Sequence, residues 1–239
     1  MLSVIIPVLN EAENLAPLHR ELTEVLSRLH QAAEILFVDD ASADTTPDVI
    51  RELQGADPRV RGFRLTQNSD KGGALLVGFR EARGNVCITL DGDLQNDPAD
   101  IPLLLAALEQ GANLALGRRM SRADSSATCL ASRLFNACMS MAFRHRLYDA
   151  NTGYKVLRRE TALSAPLAHG LFRFLPFILA RRGLKIIEVP VHHRPRANGK
   201  SRFGTGRRLF SLLKLPRALR AAQKPLKTPE ELPAYIALS

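Results

Sequence analysis

The sequence predicts an α/β fold, a mostly parallel sheet with helices on both faces. Three observations carry that expectation. Short apolar runs alternate with stretches whose apolar residues recur at helical spacing. Several runs, such as "SVIIPVL" and "EILFVDD", are nearly uninterrupted, the pattern of strands buried on both faces. The runs also end in polar and acidic residues, at the position where open parallel sheets bind ligands.

The elements follow in order through the first half. "SVIIPVL" reads as a strand, and "EAENLAPLHRELTEVLSRLHQ" as a helix with one apolar stripe. "EILFVDD" is the second strand, and "TTPDVIRELQ" a helix with Thr46 expected as its cap before Pro47. "VRGFRLT" is the third strand, and "GGALLVGFREARG" a helix ending at a glycine. "NVCITLD" is the fourth strand, "DPADIPLLLAALEQG" a capped helix, and "ANLALGRR" the fifth strand. The second half loses this alternation. "SSATCLASRLFNACMSMAFRHRL", Ser125 to Leu147, is expected to be one long apolar helix, and "DANTGYKVLRRE" reads as polar and turn-rich. "GLFRFLPFILARRG" is apolar but interrupted by Arg173 and Pro176. "KIIEVPVHHRPRANGKSRFG" is a strand with a basic loop, "GRRLFSLLKLPRALRAAQK" is basic and amphipathic, and the tail "PLKTPEELPAYIALS" has little character.

Composition narrows the class. With 239 residues and 46% hydrophobic content the chain can bury a real core. Cys87, Cys129 and Cys138 are odd in number and match no zinc spacing, so reduced cysteines of a cytosolic protein are expected. The start "MLSVIIPVLNE" lacks a basic lead and a cleavage site, and no run of about 18 apolar residues occurs. Neither a signal peptide nor a membrane-spanning helix is expected. The net charge of +9 hides a division. Residues 1–117 carry 9 Lys and Arg against 18 Asp and Glu, while residues 118–239 carry 24 against 6. The basic half suggests a polyanionic partner, nucleic acid or an anionic membrane surface, against the alternative of a solvated basic face. The absence of Trp and an aromatic content of 5% speak against stacking on single-stranded nucleic acid.

The stretch "ITLDGDLQNDP", Ile88 to Pro98, places Asp91 and Asp93 where an apolar strand surfaces. Asp39 and Asp40 end the second strand, and Asn10 and Glu11 follow the first. Clustered carboxylates repel each other, so folding alone does not ask for this rim. Two carboxylates one residue apart suit a hard divalent cation, Mg²⁺ or Mn²⁺, which in turn can hold a diphosphate. A calcium loop does not fit: counting from Asp91, the sixth position is Asn96 and the twelfth Pro102. An aspartyl-phosphate phosphatase would place its pair on the first strand, and a plain turn cap before Asp97-Pro98 is the structural alternative.

Five segments in order resemble family 2 glycosyltransferases of the GT-A fold, in the polyprenyl-phosphate branch typified by dolichyl-phosphate mannose synthase. They are "SVIIPVLNEAENL", "LFVDDASADTT", "NSDKGGALLVGFREARGNVCITLDGDLQNDPADIPLLL", "DANTGYKVLRRE" and "FRFLPFILARRGLKIIEVPVHHRPRANGKSRFG". The resemblance runs from residue 2 to about residue 206. It implies a GT-A domain over 1–206, with a nucleotide-sugar half (1–117) and an acceptor half (118–206), then a basic amphipathic helix and tail (207–239). It implies that Pro7, Asn10 and Glu11 line the nucleoside side, and that Asp39 and Asp40 approach base and ribose. It assigns Asp91, Gly92, Asp93 and Gln95 to the donor diphosphate and its metal, with Lys71 and Gly72 shaping a nearby loop. Arg118, Arg133, Arg196 and Ser201 become candidates for the acceptor phosphate, and Asp149 the carboxylate that orients sugar hydroxyls or assists as a base. Catalysis then rests on Asp91, Asp93 and Asp149.

The implied activity is inverting transfer of a sugar from a GDP- or UDP-sugar to a polyprenyl phosphate, with Mg²⁺ or Mn²⁺ as cofactor. The alternatives are a family 2 enzyme with a non-lipid sugar acceptor, a basic nucleic-acid-binding module and a silent scaffold. Ala41 departs from the usual Gly, Lys155 stands where Arg is common, and Arg202 where Lys is common. The carboxyl-terminal membrane helices of many relatives are missing, so peripheral attachment to the cytoplasmic face is expected. Ser125–Leu147 and Leu209–Leu219 would rest in the interface, or pack in the core or a dimer. A membrane-protein partner or a homo-oligomer completes the expected set of partners.

Overall fold

The computed structural model describes residues 1–120, 126–195, 211–223 and 232–238. Eight strands form one sheet in the order β7-β5-β6-β4-β1-β2-β3-β8. The strands are β1 (Leu2–Val8), β2 (Ala33–Asp39), β3 (Val60–Leu65), β4 (Val86–Thr89), β5 (Leu114–Arg119), β6 (Lys155–Arg158), β7 (Ile186–Val191) and β8 (Tyr235–Ala237). β1 pairs in parallel with β2 and β4, β2 with β3, and β5 with β7. β6 runs antiparallel between β4 and β5, and β8 antiparallel on β3.

The helices are α1 (Ala12–Arg28), α2 (Thr46–Ala56), α3 (Asp70–Glu81), α4 (Ile101–Glu109), α5 (Ser126–Phe143), α6 (Arg159–Leu163), α7 (Leu175–Arg181) and α8 (Leu215–Gln223). Strand alternation distributes the core. Val4, Ile6, Ile35 and Phe37 face α1, α2 and α4, while Ile5, Leu36 and Val38 face α3, α5 and α7. On α1, Leu15, Leu18, Leu22 and Leu26 form the buried stripe, each contributing roughly 2 kcal/mol by burial. Both faces of the sheet are thus covered, as the apolar strands require. The chain runs from β1 outward to β3, then returns to place β4 on the other side of β1. That reversal is the switch point where open α/β sheets bind ligands.

The structure corrects several local expectations. Thr46 is no side-chain cap: it is the first residue of α2, and its hydroxyl accepts from Glu11 N at 2.9 Å. The "polar and turn-rich" stretch contains the interior strand β6, because backbone pairing with both β4 and β5 outweighs its polar composition. The tail supplies β8, and Leu238 behind it is buried. α5 stops at Phe143, and Arg144 follows at φ 54, a left-handed conformation that ends the helix before Leu147. Phe135, Met139 and Phe143 of α5 are buried, and Leu215 and Leu219 of α8 pack on the same cluster. Both segments therefore bury a face in the core. Leu134, Met141 and Leu213 stay exposed. Among the described residues no helix is long and apolar enough to cross a membrane. Burial pushes the Cys87 thiol up to about 12, so it is an inert core residue.

Candidate active site

The carboxyl ends of β1, β2 and β4 meet at the switch point. After β1 the chain turns through Asn10 at φ 54. Asn10 N donates to Ser42 Oγ at 2.8 Å, and its side-chain oxygen accepts from Ala43 N at 2.8 Å. Glu11 accepts from Asn14 Nδ2 at 2.7 Å. Pro7 lies in β1 opposite Val38. The β1 end is thus stitched to the loop after β2.

That loop starts with Asp39 and Asp40, both buried. Asp39 Oδ1 accepts from Ser42 N, and its Oδ2 lies 3.3 Å from Arg64 Nε without hydrogen-bond geometry. Burial raises the Asp39 carboxyl above its ordinary range, against the lowering by Ser42 and Arg64. Asp40 Oδ1 accepts from Ser69 N at 2.7 Å and so fixes the start of α3. There Asp70 Oδ1 accepts from Gly72 N at 2.6 Å. Gly72 must lack a side chain, since a Cβ would lie 2.4 Å from the Leu167 carbonyl oxygen.

This places Lys71 in contact with Asp91 Oδ1. Burial opposes the charge on Asp91, but Lys71, Lys155 and Arg119 outweigh it and hold the carboxyl below its usual range. A Cβ on Gly92 would meet Val8 at 2.8 Å, so the turn lies on the end of β1. Asp93 is buried, and its Oδ1 accepts from Gln95 N at 3.2 Å. Gln95 Nε2 donates to the Arg194 carbonyl at 3.3 Å, which leaves its amide oxygen as the atom for any metal contact.

The acceptor-side expectations fare differently. Arg118 lies over the exposed Tyr148 ring at 5.5 Å, and Arg146 over the same ring at 4.9 Å. Arg133 lies on α5 with its side chain outside the described residues, and Arg196 and Ser201 also fall outside them. Asp149 is 2% exposed, and both its oxygens receive Arg119, at 2.7 and 2.9 Å. Its backbone N donates to Glu188 at 2.7 Å. This carboxylate is built in as the holder of Arg119, because a bidentate guanidinium pair occupies it.

Sequence reasoning gave no site role to four residues here. Gly153 backs Asp91, and a Cβ there would lie 2.2 Å from its Oδ2. Its place in "NTGYK" was the available signal. Arg119 and Glu188 hold Asp149, and Lys155 lies buried among Asp91, Asp149, Lys71 and Arg119. Burial, with Lys71 adding to it, brings the Lys155 ammonium down to about 7 despite the two carboxylates.

The sequence model described as glycosyl transferase family 2 matches residues 3–180. The chain belongs to that family. Among curated family relatives, an undecaprenyl-phosphate 4-deoxy-4-formamido-L-arabinose transferase of Edwardsiella ictaluri is 32% identical over 203 residues, covering 84% of this chain and 62% of the relative. The Salmonella choleraesuis protein of the same name is 32% identical over 202 residues, with the same coverage. The chain therefore spans 62% of the length of these relatives. Among solved structures, mannosyl-3-phosphoglycerate synthase from Rubrobacter xylanophilus superposes with a TM-score of 0.71 at 18% identity, over 94% of this chain and 76% of that one. Glucosyl-3-phosphoglycerate synthase from Mycobacterium tuberculosis, solved with Mn²⁺, UDP-glucose and glycerol 3-phosphate, gives 0.63 at 20%, over 93% and 78%. At these identities the likeness shows the shared GT-A-type fold.

Proposed function

We propose that this chain is an inverting, metal-dependent glycosyltransferase that moves a sugar from a nucleotide sugar to a polyprenyl phosphate at a membrane surface. The observation that carries the reading is the meeting of Asp39–Asp40 and Asp91–Asp93 at the switch point of a family 2 chain. The acceptor class follows the curated relatives, which are named for undecaprenyl-phosphate transfer.

The residues at the rim fit a divalent cation. The donor set is oxygen throughout: two carboxylates one residue apart and the Gln95 amide. Among the described residues no three His, Cys, Asp or Glu side chains gather as a metal cage. Mg²⁺ and its like are commonly held by one or two carboxylates plus substrate phosphates, so the diphosphate would supply the remaining ligands. Asp91, Asp93 and Gln95 would hold the ion, whose chemistry is to neutralise the departing nucleoside diphosphate. Lys71, held by Asp91, adds a second positive charge on that side. Asp39, Asp40, Pro7, Asn10 and Glu11 take the nucleoside, and Gly72 keeps the Lys71 loop close.

The acceptor phosphate is already charged at neutral pH, with a second pKa of about 6. It needs placing, not activating by a strong base. Arg118, Arg133, Arg196 and Ser201 serve that placement, and Asp149 acts through Arg119. The exposed Leu134 and Met141 of α5, with Arg118 and Arg146 on Tyr148, support contact with an anionic lipid face. The test is transfer from labelled UDP- and GDP-sugars, with Mn²⁺, to undecaprenyl phosphate in anionic vesicles. A chloroform-soluble labelled lipid is the expected product. Label moving only to water-soluble acceptors such as 3-phosphoglycerate would overturn the lipid assignment.

A further inference from the structure

We propose that Arg194 is a positioning residue for the Asp91–Gln95 turn, and that the segment His192–Arg194 just after β7 is the strap that keeps that turn in shape. The proposal rests on the transferase reading in one respect: that this turn holds the donor's metal.

The turn contains a local conflict. Leu94, between Asp93 and Gln95, sits at φ 62. The left-handed region disfavours any residue with a side chain, and a residue stays there only when its surroundings hold it. The surroundings are supplied from the far end of β7. His193 forms a backbone bridge with Asn96. Arg194 N donates to the Gln95 carbonyl at 2.9 Å, and Gln95 Nε2 returns a bond to the Arg194 carbonyl. His192 N donates to Asp100 Oδ2 at 2.6 Å. From within, Tyr154 Oη donates to the Asp97 carbonyl at 3.0 Å.

Arg194 then ties this bridge to a third element. Its Nη1 reaches both oxygens of Glu21 on α1, at 2.8 and 3.0 Å, and its Nη2 lies 2.7 Å from Asp97. A planar guanidinium serves two carboxylates at once, which an ammonium does far less well. The side chain is 39% exposed, and ion pairs so placed add little to global stability. What this fork does is orient: it sets Asp97, and through the backbone Gln95, against α1.

Hydrogen exchange on the unliganded full chain tests the strap without any ligand. In Arg194→Ala, amides of residues 93–97 are expected to exchange about tenfold faster, with β1 and β2 unchanged and Arg194→Lys in between. Unchanged exchange at 93–97 would overturn the strap, and so would uniformly faster exchange through β1 and β2, which marks an ordinary stability residue. Electron paramagnetic resonance of Mn²⁺, titrated with UDP or GDP present, tests the link to the metal. The half-saturating Mn²⁺ is expected to rise about tenfold in Arg194→Ala. Wild-type affinity in a variant whose turn exchanges faster sinks the positioning role. A wild-type chain that takes up no Mn²⁺ contradicts the transferase reading and the metal link together, while the exchange result still decides the strap.

Discussion

The two ends of the same strands handle charge in opposite ways. At the amino ends of β1 to β3, Glu34 accepts from Ser3 Oγ at 2.6 Å, Arg83 N at 2.6 Å and Arg61 at 3.0 Å. Arg61 also pairs with Glu81 at 3.1 Å, and Glu81 accepts from Tyr235 Oη at 2.7 Å. The acids there have matching donors, and the network closes on itself. At the carboxyl ends, Asp39, Asp40, Asp91 and Asp93 crowd one rim, and Lys155 beside them is a buried lysine brought down to about 7. The first arrangement stabilises a fold. The second crowds like charges on one rim, a repulsion that the proposed divalent cation would relieve.

The comparison breaks most directly at Glu34. Glu34→Ala removes the acceptor of the Ser3 hydroxyl and of Arg83 N and one of the two carboxylates on Arg61, and an expected loss of about 3 kcal/mol should appear in denaturant unfolding. Nucleotide affinity of the folded variant should stay at wild type. A fall in affinity without a fall in stability would mean that the two ends are not separable.

A pair of aspartates sharpens the contrast through its opposite pH signs. Hydrogen bonds from Arg59, with His19 adding to them, hold the Asp57 carboxyl well below its ordinary range. Its contribution is present above the unfolded value of 3.8 and is lost as pH falls toward the folded value. Asp39, raised by burial, contributes below 3.8 and loses that contribution as pH rises through its folded value. At pH 7, Asp57→Asn should therefore lower the unfolding midpoint and Asp39→Asn raise it, both differences shrinking toward acid. Asp39→Asn should also lose nucleotide binding. Thermal melts at several pH values read both, and equal signs at pH 7 would contradict the account.

The smallest effect sits beside the rim. Ala41, at a position where the resemblance implies Gly, adopts φ 61. Ala41→Gly removes that strain at the expense of backbone entropy and should stabilise by about 0.5 kcal/mol. A destabilised variant would show that the turn is not strained.

Much of this was legible before the structure. Apolar runs and alternations marked β1 to β5 and β7, and carboxylates where runs ended marked the rim, because both are local signals. What stayed hidden depends on partners distant in sequence. β8 exists only by pairing with β3, and β6 only between β4 and β5. The Arg194 pair with Glu21 joins residues 173 apart, and Gly153 makes sense only once Asp91 lies against it. The pairing of Arg119 with both oxygens of Asp149 spans 30 residues and left no local signal.

The central claim is that the Asp91–Asp93 turn binds a metal together with a nucleoside diphosphate. The direct measurement is the thermal midpoint of wild type and Asp93→Ala with UDP, GDP and their sugars, each with and without Mn²⁺. A ligand that binds only the folded state raises the midpoint, by the equivalent of about 2.7 kcal/mol at a hundredfold excess over its dissociation constant. The account predicts a Mn²⁺-dependent rise with one nucleotide family in wild type, absent in an equally folded Asp93→Ala. A rise of the same size in both proteins, or none with any nucleotide, would contradict it.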